Sequence, residues 1–347
     1  MTTSRGALAL AALLAFGAGR AWSQSAPQVE VKAAPDARRV DVTIGGAPFT
    51  AYIWPERLAK PVLYPLRSAR GTLVTRGFPL DPRPGERVDH PHHVGLWFNY
   101  GDVNGVDFWN NSDSLPKQEQ AKMGRIQHRA IVSTASGAGK GELVVDSDWI
   151  MPDGSVLMTE RTRYLFRADA QSRAIERVTE LKAKDKAVKF ADNKEGVLGL
   201  RVARALEEPA DKPELFTDAS GKPTAVPVLD NAGVNGLYTS SEGLTGGKVW
   251  GTRGRWVALA GKVDGEDVVL LMLDHPKNPG YPTYWHARGY GLFAANPLGQ
   301  SVFSNGKETL NFTLAPGAST TFRHRLLILP GPFSKERAER EASAFVQ

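Results

Sequence analysis

The stretch "ELVVDSDWIMPDGSVLMTERTRYLF", residues 142–166, decides the fold class. Two runs rich in β-branched and aromatic residues flank Pro152-Asp153-Gly154, a tripeptide typical of a tight turn. Three further pairs of strands are predicted around glycine-containing turns: 39–44 with 49–54, 256–262 with 268–273, and 309–314 with 320–329. Because no strand alternates with a helical segment, the sequence predicts an all-β fold, a large antiparallel β-sandwich.

One helix is predicted, and it lies at the C-terminus. Ser334 is a suitable N-cap, and Ala338, Ala342 and Phe345 fall on one face at helical spacing. We expect this helix to cover the edge of a sheet and to carry no chemistry.

The first residues predict export. Arg5 precedes an apolar run over residues 6–19, and Ala21-Trp22-Ser23 places small residues where a signal peptidase reads. The pattern predicts a signal peptide over residues 1–23 and a single domain over 24–347, periplasmic or secreted and free of the membrane after cleavage. An uncleaved membrane anchor is the alternative.

The composition excludes several classes of function. The chain has no cysteine, so it has neither disulfides nor thiolate ligands or nucleophiles. It carries 43 basic and 37 acidic residues, a net charge of +6, and the two signs are interspersed along the chain. Without a basic block or a basic helix, nucleic acid is not an expected partner.

Three of the seven histidines stand within four positions of "DHPHHVGLWFNYGDVNGVDFW", residues 89–109. In an extended segment His90 and His92 point to one side and His93 to the other. His90 and His92 are therefore candidate ligands of zinc, copper or iron, with a third ligand from His275, His286 or Glu195. Because two histidines at this spacing are a weak metal pattern, the sequence predicts no cofactor, and a divalent transition metal is the alternative.

The Asp-His-Pro tripeptide recurs at Asp274 in "DHPKNPGYPTYWHARGYGLFAANPLG", residues 274–299. The segment follows a predicted strand, and its prolines stiffen a loop at the place where functional residues often lie. Its candidate site residues are His275, Asn278, Trp285, His286, Arg288 and Asn296. The alternative is a buried polar network that ties the loop down.

Two shorter segments add candidates. In "DNKEGVLGLRVA", residues 192–203, Lys194 and Glu195 stand at the entrance of a predicted strand that contains Arg201. This pair is either an acid–base group with a tuned pKa or a surface ion pair. In "WGTRGRW", residues 250–256, Trp250 and Arg253 are candidates for contact with a sugar, whereas the last tryptophan is expected in the core.

These motifs, together with "KPVLYPL" at residues 60–66, resemble the bacterial PmoA-like family. That family takes its label from methane oxygenase, and its function is otherwise undefined. The resemblance implies an exported protein of carbohydrate metabolism. The closing "LNFTLAPGASTTFRHRLLIL", residues 310–329, is similar to the final hairpin of galactose mutarotase folds, which implies a sandwich of the supersandwich type.

Together these observations predict a cleft that performs acid–base chemistry on a sugar or glycoside. Elimination, hydrolysis and epimerisation all fit; the alternatives are a non-catalytic glycan-binding or accessory module and a histidine-ligated metalloenzyme. The predicted catalytic residues are His90, His92, His93, Glu195, His275, His286 and Arg288. The predicted substrate-binding residues are Lys194, Arg201, Trp250, Arg253, Asn278, Trp285 and Asn296.

Overall fold

The computed structural model describes residues 1–2 and 26–346, so the predicted signal peptide falls almost wholly outside the described residues. No helix within the described ranges is both long and apolar enough to cross a bilayer. The strands of this part of the chain are β1 Gln28–Ala34, β2 Arg39–Ile44, β3 Ala47–Ile53, β4 Val62–Leu63, β5 Leu96–Tyr100, β6 Arg125–Ala135, β7 Gly137–Ala138, β8 Lys140–Ile150, β9 Val156–Ala168, β10 Arg173–Ala183, β11 Val188–Lys189, β12 Gly196–Arg201, β13 Leu237–Ser240, β14 Trp256–Val263, β15 Glu266–Asp274, β16 Tyr284–Arg288, β17 Leu292–Asn296, β18 Thr313–Leu314 and β19 Ser319–Pro330. The α-helices are α1 Lys117–Gln120, α2 Gln300–Phe303 and α3 Lys335–Phe345, and single 3-10 turns lie at Pro35–Ala37, Arg204–Leu206 and Gly246–Val249.

Two large antiparallel sheets form the sandwich. One sheet has the strand order β16-β17-β12-β5-β4-β3-β2-β1-β7 and the other β13-β14-β15-β19-β10-β9-β8-β6. Buried apolar side chains from both sheets form one core, in which Phe98 of β5 packs against Phe322 of β19 with ring centroids 5.6 Å apart. The predicted all-β antiparallel sandwich is therefore confirmed.

Three of the four predicted hairpins form, and the fourth prediction is wrong. Strands β2 and β3, β8 and β9, and β14 and β15 pair directly with each other. Strand β18, in contrast, pairs with β11, while β19 pairs with β10 and β15. The chain before β18 cannot continue a hairpin, because the Asp192 carboxylate accepts the backbone N–H groups of Leu310 and Asn311.

The predicted C-terminal helix is α3. The Ser334 hydroxyl caps it by accepting the backbone N–H of Arg337. Its buried face, which consists of Ala338, Ala342 and Phe345, packs on the outer face of the eight-stranded sheet together with the fully buried Trp256. The helix therefore forms as predicted but covers the outer face of the sheet, formed by β14, β15 and β19, and not its edge, and Trp256 is buried beneath it.

The two faces of the nine-stranded sheet have different roles. Along β5, Leu96, Phe98 and Tyr100 point into the core between the sheets, so Trp97 must point to the opposite, outer face. The register places Gly199 of β12 beside Trp97, and Ala294 of β17 beside Gly199. These side chains share the outer face, where loops at the strand ends add polar groups.

Candidate functional site

A pocket of about 400 Å³ lies on the outer face of the nine-stranded sheet. The loop before β5, the entrance of β12 and the hairpin of β16 and β17 supply its walls. Its lining consists of His90, His92, His93, Trp109, Asn110, Lys194, Glu195, His286, Arg288 and Tyr290. We call it the histidine pocket.

Small residues let the pocket form above the sheet. His286 of β16 pairs with Ala294 of β17, and Ala294 pairs with Gly199 of β12. A Cβ atom on Gly199 would lie 2.4 Å from the Trp97 ring, so glycine is required where the indole lies across β12. The indole in turn supports His93, with near-parallel rings 5.1 Å apart.

Two buried arginines fix the histidine-rich loop. The Arg76 guanidinium donates to the backbone carbonyls of Arg87, Asp89, His90 and His93 and to the Asp89 carboxylate. Arg201 of β12 donates to the same carboxylate at 2.6 Å. This network holds His90 in the left-handed backbone region, with φ of 44°, which costs free energy for a residue other than glycine.

The Asp89 carboxylate orients the His90 ring. Its Oδ2 atom lies 2.7 Å from His90 Nδ1. Burial raises the pKa of Asp89, but Arg201, the hydrogen bond from His90 and Arg76 lower it by more, so this pKa lies well below its usual range. The ring is also nearly parallel to two neighbouring rings, with its centroid 4.8 Å from that of His93 and 4.9 Å from that of Tyr290. His90 is thus fixed with Nδ1 on the carboxylate, which leaves Nε2 for a ligand.

A second acid–base pair comes from β12 and β16. Glu195 Oε2 lies 3.7 Å from His286 Nδ1, and Lys194 forms an ion pair with the other oxygen of Glu195. Arg288 donates from Nε to His286 Nε2 at 3.3 Å, and its guanidinium lies 4.5 Å above the Trp250 ring. Since Nε2 accepts from Arg288, we assign the imidazole proton to Nδ1, on the side of Glu195.

Three of the pocket histidines are held neutral. Burial lowers the pKa of His286 to about 3, and the charges of Arg288 and Lys194 add to this effect. Burial, followed by the charge of Lys60, lowers the pKa of His92 to about 2. Burial also places the pKa of His93 well below its ordinary value. These three imidazoles are therefore uncharged near neutral pH and can act there as hydrogen-bond donors or acceptors.

The structure gathers seven of the predicted residues around the histidine pocket and places three others next to it. The lining contains His90, His92, His93, Lys194, Glu195, His286 and Arg288. Arg201 lies beneath the lining on Asp89, and Trp250 lies under the guanidinium of Arg288. Asn296 donates to the carbonyls of Asn193 and Lys194 and so holds the loop that presents Glu195.

Four predicted residues lie elsewhere and have structural contacts. His275 packs its ring edge on Phe345 of α3, with centroids 5.1 Å apart, so its predicted place in a shared cleft is wrong. Asn278 bonds to Asp274 and to the backbone of Arg323 in the other sheet. Arg253 binds two loop carbonyls and Glu308, and Trp285 is fully buried in the core between the sheets.

The metal alternative has no ligand set in residues 26–346. The structure shows no group of three His, Cys, Asp or Glu side chains there that could hold an ion. His90 and His92 do approach each other, with ring centroids 5.7 Å apart and at a steep angle. Nδ1 of His90 is occupied by Asp89. Glu195 and His286 share the lining but do not form a ligand group with the pair in residues 26–346, and His275 lies outside the lining.

Sequence reasoning missed several contributors to the pocket. Trp109, Asn110 and Tyr290 line it; Trp109 and Tyr290 stand inside the two Asp-His-Pro segments, and Asn110 directly follows the first. Arg76 and Lys60 support the histidine loop from distant positions, and Lys60 Nζ donates to the His92 carbonyl at 2.8 Å. A lone basic residue in a strand or loop gives no signal that it will be buried, so these two could not be identified from the sequence.

The comparisons with known proteins assign the chain to a family. Residues 39–343 match the family described as "Family of unknown function (DUF6807)", and the chain belongs to it. The resemblance to the PmoA-like family is therefore wrong. No curated protein matches the chain in sequence.

Solved structures of similar fold include sugar-processing proteins. A galactose mutarotase-like protein from Clostridium acetobutylicum has a TM-score of 0.41 at 9% identity, over 88% of this chain and 99% of that one. A GH36 α-galactosidase from Geobacillus stearothermophilus has a TM-score of 0.36 at 11% identity, over 87% of this chain and only 41% of that one. A putative aldose 1-epimerase from Escherichia coli has a TM-score of 0.26 at 12% identity, over 88% and 99%.

Proposed function

We propose that the histidine pocket binds one sugar unit of a carbohydrate and catalyses proton transfer at it. The observation that carries the proposal is that Glu195, beside His286, and His90, oriented by Asp89 behind it, line the same pocket. The pairs come from separate chain segments, so they can act on different atoms of one ligand. Glu195 is the proposed base and His90 the proposed acid.

The lining suits a sugar better than an apolar ligand. Donors and acceptors predominate, and the tryptophan of the lining, Trp109, is fully buried beneath them. The volume of about 400 Å³ falls in the range of small-molecule sites. Lys194 and Arg288 supply positive charge for a carboxylate or a developing oxyanion.

The set of charged groups favours isomerisation or elimination over hydrolysis. Glycoside hydrolysis ordinarily uses two carboxyl groups that flank the scissile bond. Glu195 is the one carboxylate in the lining, because Asp89 is engaged by Arg76 and Arg201 behind His90. A single carboxylate base with an imidazole partner suffices to remove a proton from a sugar carbon or hydroxyl and to return one elsewhere.

His286 has a supporting role in this scheme. It stays neutral, and its Nδ1 atom faces Glu195 at 3.7 Å without a hydrogen-bond partner in the described residues, so it is placed to donate if the Glu195 side chain moves closer on ligand binding. Its other nitrogen is held by Arg288, so the imidazole cannot turn. The predicted signal peptide adds the proposal that the protein acts outside the cytoplasm, on carbohydrate in the periplasm or medium.

The direct test is solvent proton exchange. We expect the purified protein, incubated in D₂O with a panel of native and 3-keto sugars and glycosides, to incorporate deuterium or form an unsaturated product. NMR and ultraviolet absorbance detect the two outcomes. Glu195→Gln and His90→Asn should each lower the rate at least about 100-fold, the usual size of a general acid–base contribution.

His275→Asn is the matched control, because His275 follows the other Asp-His-Pro aspartate but lies outside the pocket. Its rate should equal that of the wild type. Binding of a sugar with neither exchange nor product would instead identify a glycan-binding module. Equal loss in His90→Asn and His275→Asn would refute the assignment of the acid–base pair.

A further inference from the structure

We propose that the substrate is an oligosaccharide or polysaccharide chain, and that a second pocket binds the sugars next to the reacting unit. This inference rests on the proposed function of the histidine pocket. The second pocket has a volume of about 830 Å³ and lies at one end of the sandwich, where the chain between β3 and β4 meets β6 and β8. We call it the Trp54 pocket, after the aromatic residue in its wall.

The two pockets share a thin wall. Trp109 and Asn110 line the histidine pocket, and the next two residues, Asn111 and Ser112, line the Trp54 pocket. Consecutive Cα atoms are about 3.8 Å apart, so the pockets abut along this segment. Lys60 also lines the Trp54 pocket, while its Nζ reaches the His92 carbonyl and lies 5.5 Å from the centre of the Trp97 ring.

The Trp54 pocket contains an aromatic ring, that of Trp54, which neighbouring side chains hold in place as a platform. The Trp54 ring lies 4.0 Å from the His128 ring at an angle of 33°, and the Tyr52 hydroxyl bonds to His128 Nδ1 at 3.0 Å. Burial lowers the pKa of His128 to about 4, so the platform is uncharged near neutral pH. Indole rings supported in this way offer a flat apolar surface at low entropic cost, which the C–H face of a pyranose can cover.

Polar groups surround the platform as sugar recognition requires. Arg57 is paired with Asp113, and Arg38 with Glu56. The lining also contains Lys60, Lys117 and Arg125, so basic residues are in excess, and Gln127 adds an amide from β6. A lining of ion pairs, surplus basic groups, amides and one indole platform fits hydroxyl-rich ligands, including acidic sugars, better than a lipid.

The chain-length dependence of binding tests this inference. Neutral gluco-oligosaccharides and galacturonate oligosaccharides of one to six units are titrated into the full mature protein by calorimetry, and deuterium exchange is followed in parallel. We expect affinity in at least one series to rise by about tenfold or more from one unit to four. Trp54→Leu should remove this gain without changing the affinity for the single unit.

Two variants guard against misfolding and nonspecific effects. Gln127→Trp places a bulky side chain in the Trp54 pocket from an exposed strand position, so it should block long chains while the protein stays folded. Phe333→Leu changes a half-buried aromatic residue that contacts Trp256 and lines neither of the two pockets. This variant should keep the dependence of affinity on chain length.

The outcomes separate the two proposals. The chain-binding inference is overturned if one and six units bind with equal affinity, or if the length effect survives both Trp54→Leu and Gln127→Trp. In either case, deuterium exchange on the single unit would still support the proposed reaction. Length-dependent binding lost in both variants, but without exchange at any length, supports the second pocket and overturns the proposed reaction. Failure of every member of both series to bind overturns both.

Discussion

The two Asp-His-Pro segments have the same three residues and different environments. Asp89 lies against two buried arginines, which keep its carboxylate ionised and on the ring of His90. Asp274 instead accepts from Asn278 and from the backbone N–H of Thr283, and burial raises its pKa to about 7. His275 turns away from this aspartate and accepts the backbone N–H of Lys277.

The comparison shows that partners distant in sequence decide what the tripeptide does. Where Arg76 and Arg201 are present, the aspartate is a fixed negative charge that orients an imidazole towards a pocket. In the second segment neutral donors take their place. Asp274 accepts from Asn278, which also anchors the loop to the backbone of β19, and His275 packs against α3. The proposed acid–base role therefore concerns the first segment alone.

The largest expected effect comes from neutralising each aspartate in turn. Asp89→Asn leaves the buried guanidinium groups of Arg76 and Arg201 without their shared carboxylate, which should cost about 3 kcal/mol in the free energy of unfolding. Turnover should fall at least about 100-fold, because the His90 ring loses its orienting acceptor. Urea unfolding and the exchange assay measure the two effects.

Asp274→Asn is the matched variant for this comparison. It should lower the free energy of unfolding by about 1 kcal/mol, the usual loss when one buried donor has no acceptor. Turnover should be unchanged. If both variants lose the same stability and the same turnover, the buried arginines do not distinguish the two segments.

A second prediction uses the opposite signs of two pKa shifts. Burial holds the pKa of His286 at about 3, below its unfolded value near 6.5, so the unfolded chain binds the extra proton and this residue destabilises the fold as pH falls. The pKa of Asp274 is raised to about 7, so the folded state binds the extra proton and acidification stabilises it through this residue. Each residue changes the free energy of unfolding by about 2 kcal/mol between pH 6.5 and 4.5.

The two variants should therefore change the acid response in opposite directions. His286→Gln should make the loss of stability between pH 6.5 and 4.5 shallower, and Asp274→Asn should make it steeper. Unfolding by urea at several pH values measures the slopes. Parallel slopes in the wild type and both variants would show that neither group keeps the protonation state assigned to it.

The sequence predicted the fold better than the site, for a physical reason. Alternation of apolar residues and turn chemistry are local, so three hairpins and α3 could be recognised directly. The fourth hairpin failed because the Asp192 carboxylate, over a hundred positions away, takes the backbone donors that would have continued a strand. Local sequence patterns do not show which strands pair when the strands are distant in sequence.

The same limit explains which predicted residues meet in one pocket. His286 and Arg288 share a sheet face by parity along β16, Glu195 directly precedes β12 of the same sheet, and polar residues of these types at strand ends are a usable signal. His275 was misplaced because its tripeptide matches the first segment in sequence, while its contacts depend on α3. Arg76 and Lys60 were missed because burial of a lone charge is decided by the tertiary structure.

The smallest expected effect concerns Lys60, the third charged group behind the first segment. Burial lowers its pKa to about 7, well below the unfolded value of 10.5, so the unfolded chain keeps a proton that the folded state releases above pH 7. Stability should therefore rise by about 1 kcal/mol between pH 6 and pH 8 through this residue alone. Lys60→Met keeps an unbranched side chain of similar length and removes the titrating amine, which lies 5.5 Å from the centre of the Trp97 ring, so this increment should disappear in the variant.

A functional readout shows whether Lys60 also positions the histidine loop. The variant removes the donor to the His92 carbonyl, so turnover should fall several-fold at pH 7 while the protein at pH 6 is at least as stable as the wild type. Lys60→Gln, which retains an N–H donor without the charge, should recover part of the turnover. Loss of the pH increment without any change in turnover would mean that Arg76 and Arg201 alone hold the first segment, and that Lys60 is only a buried charge in the wall between the two pockets.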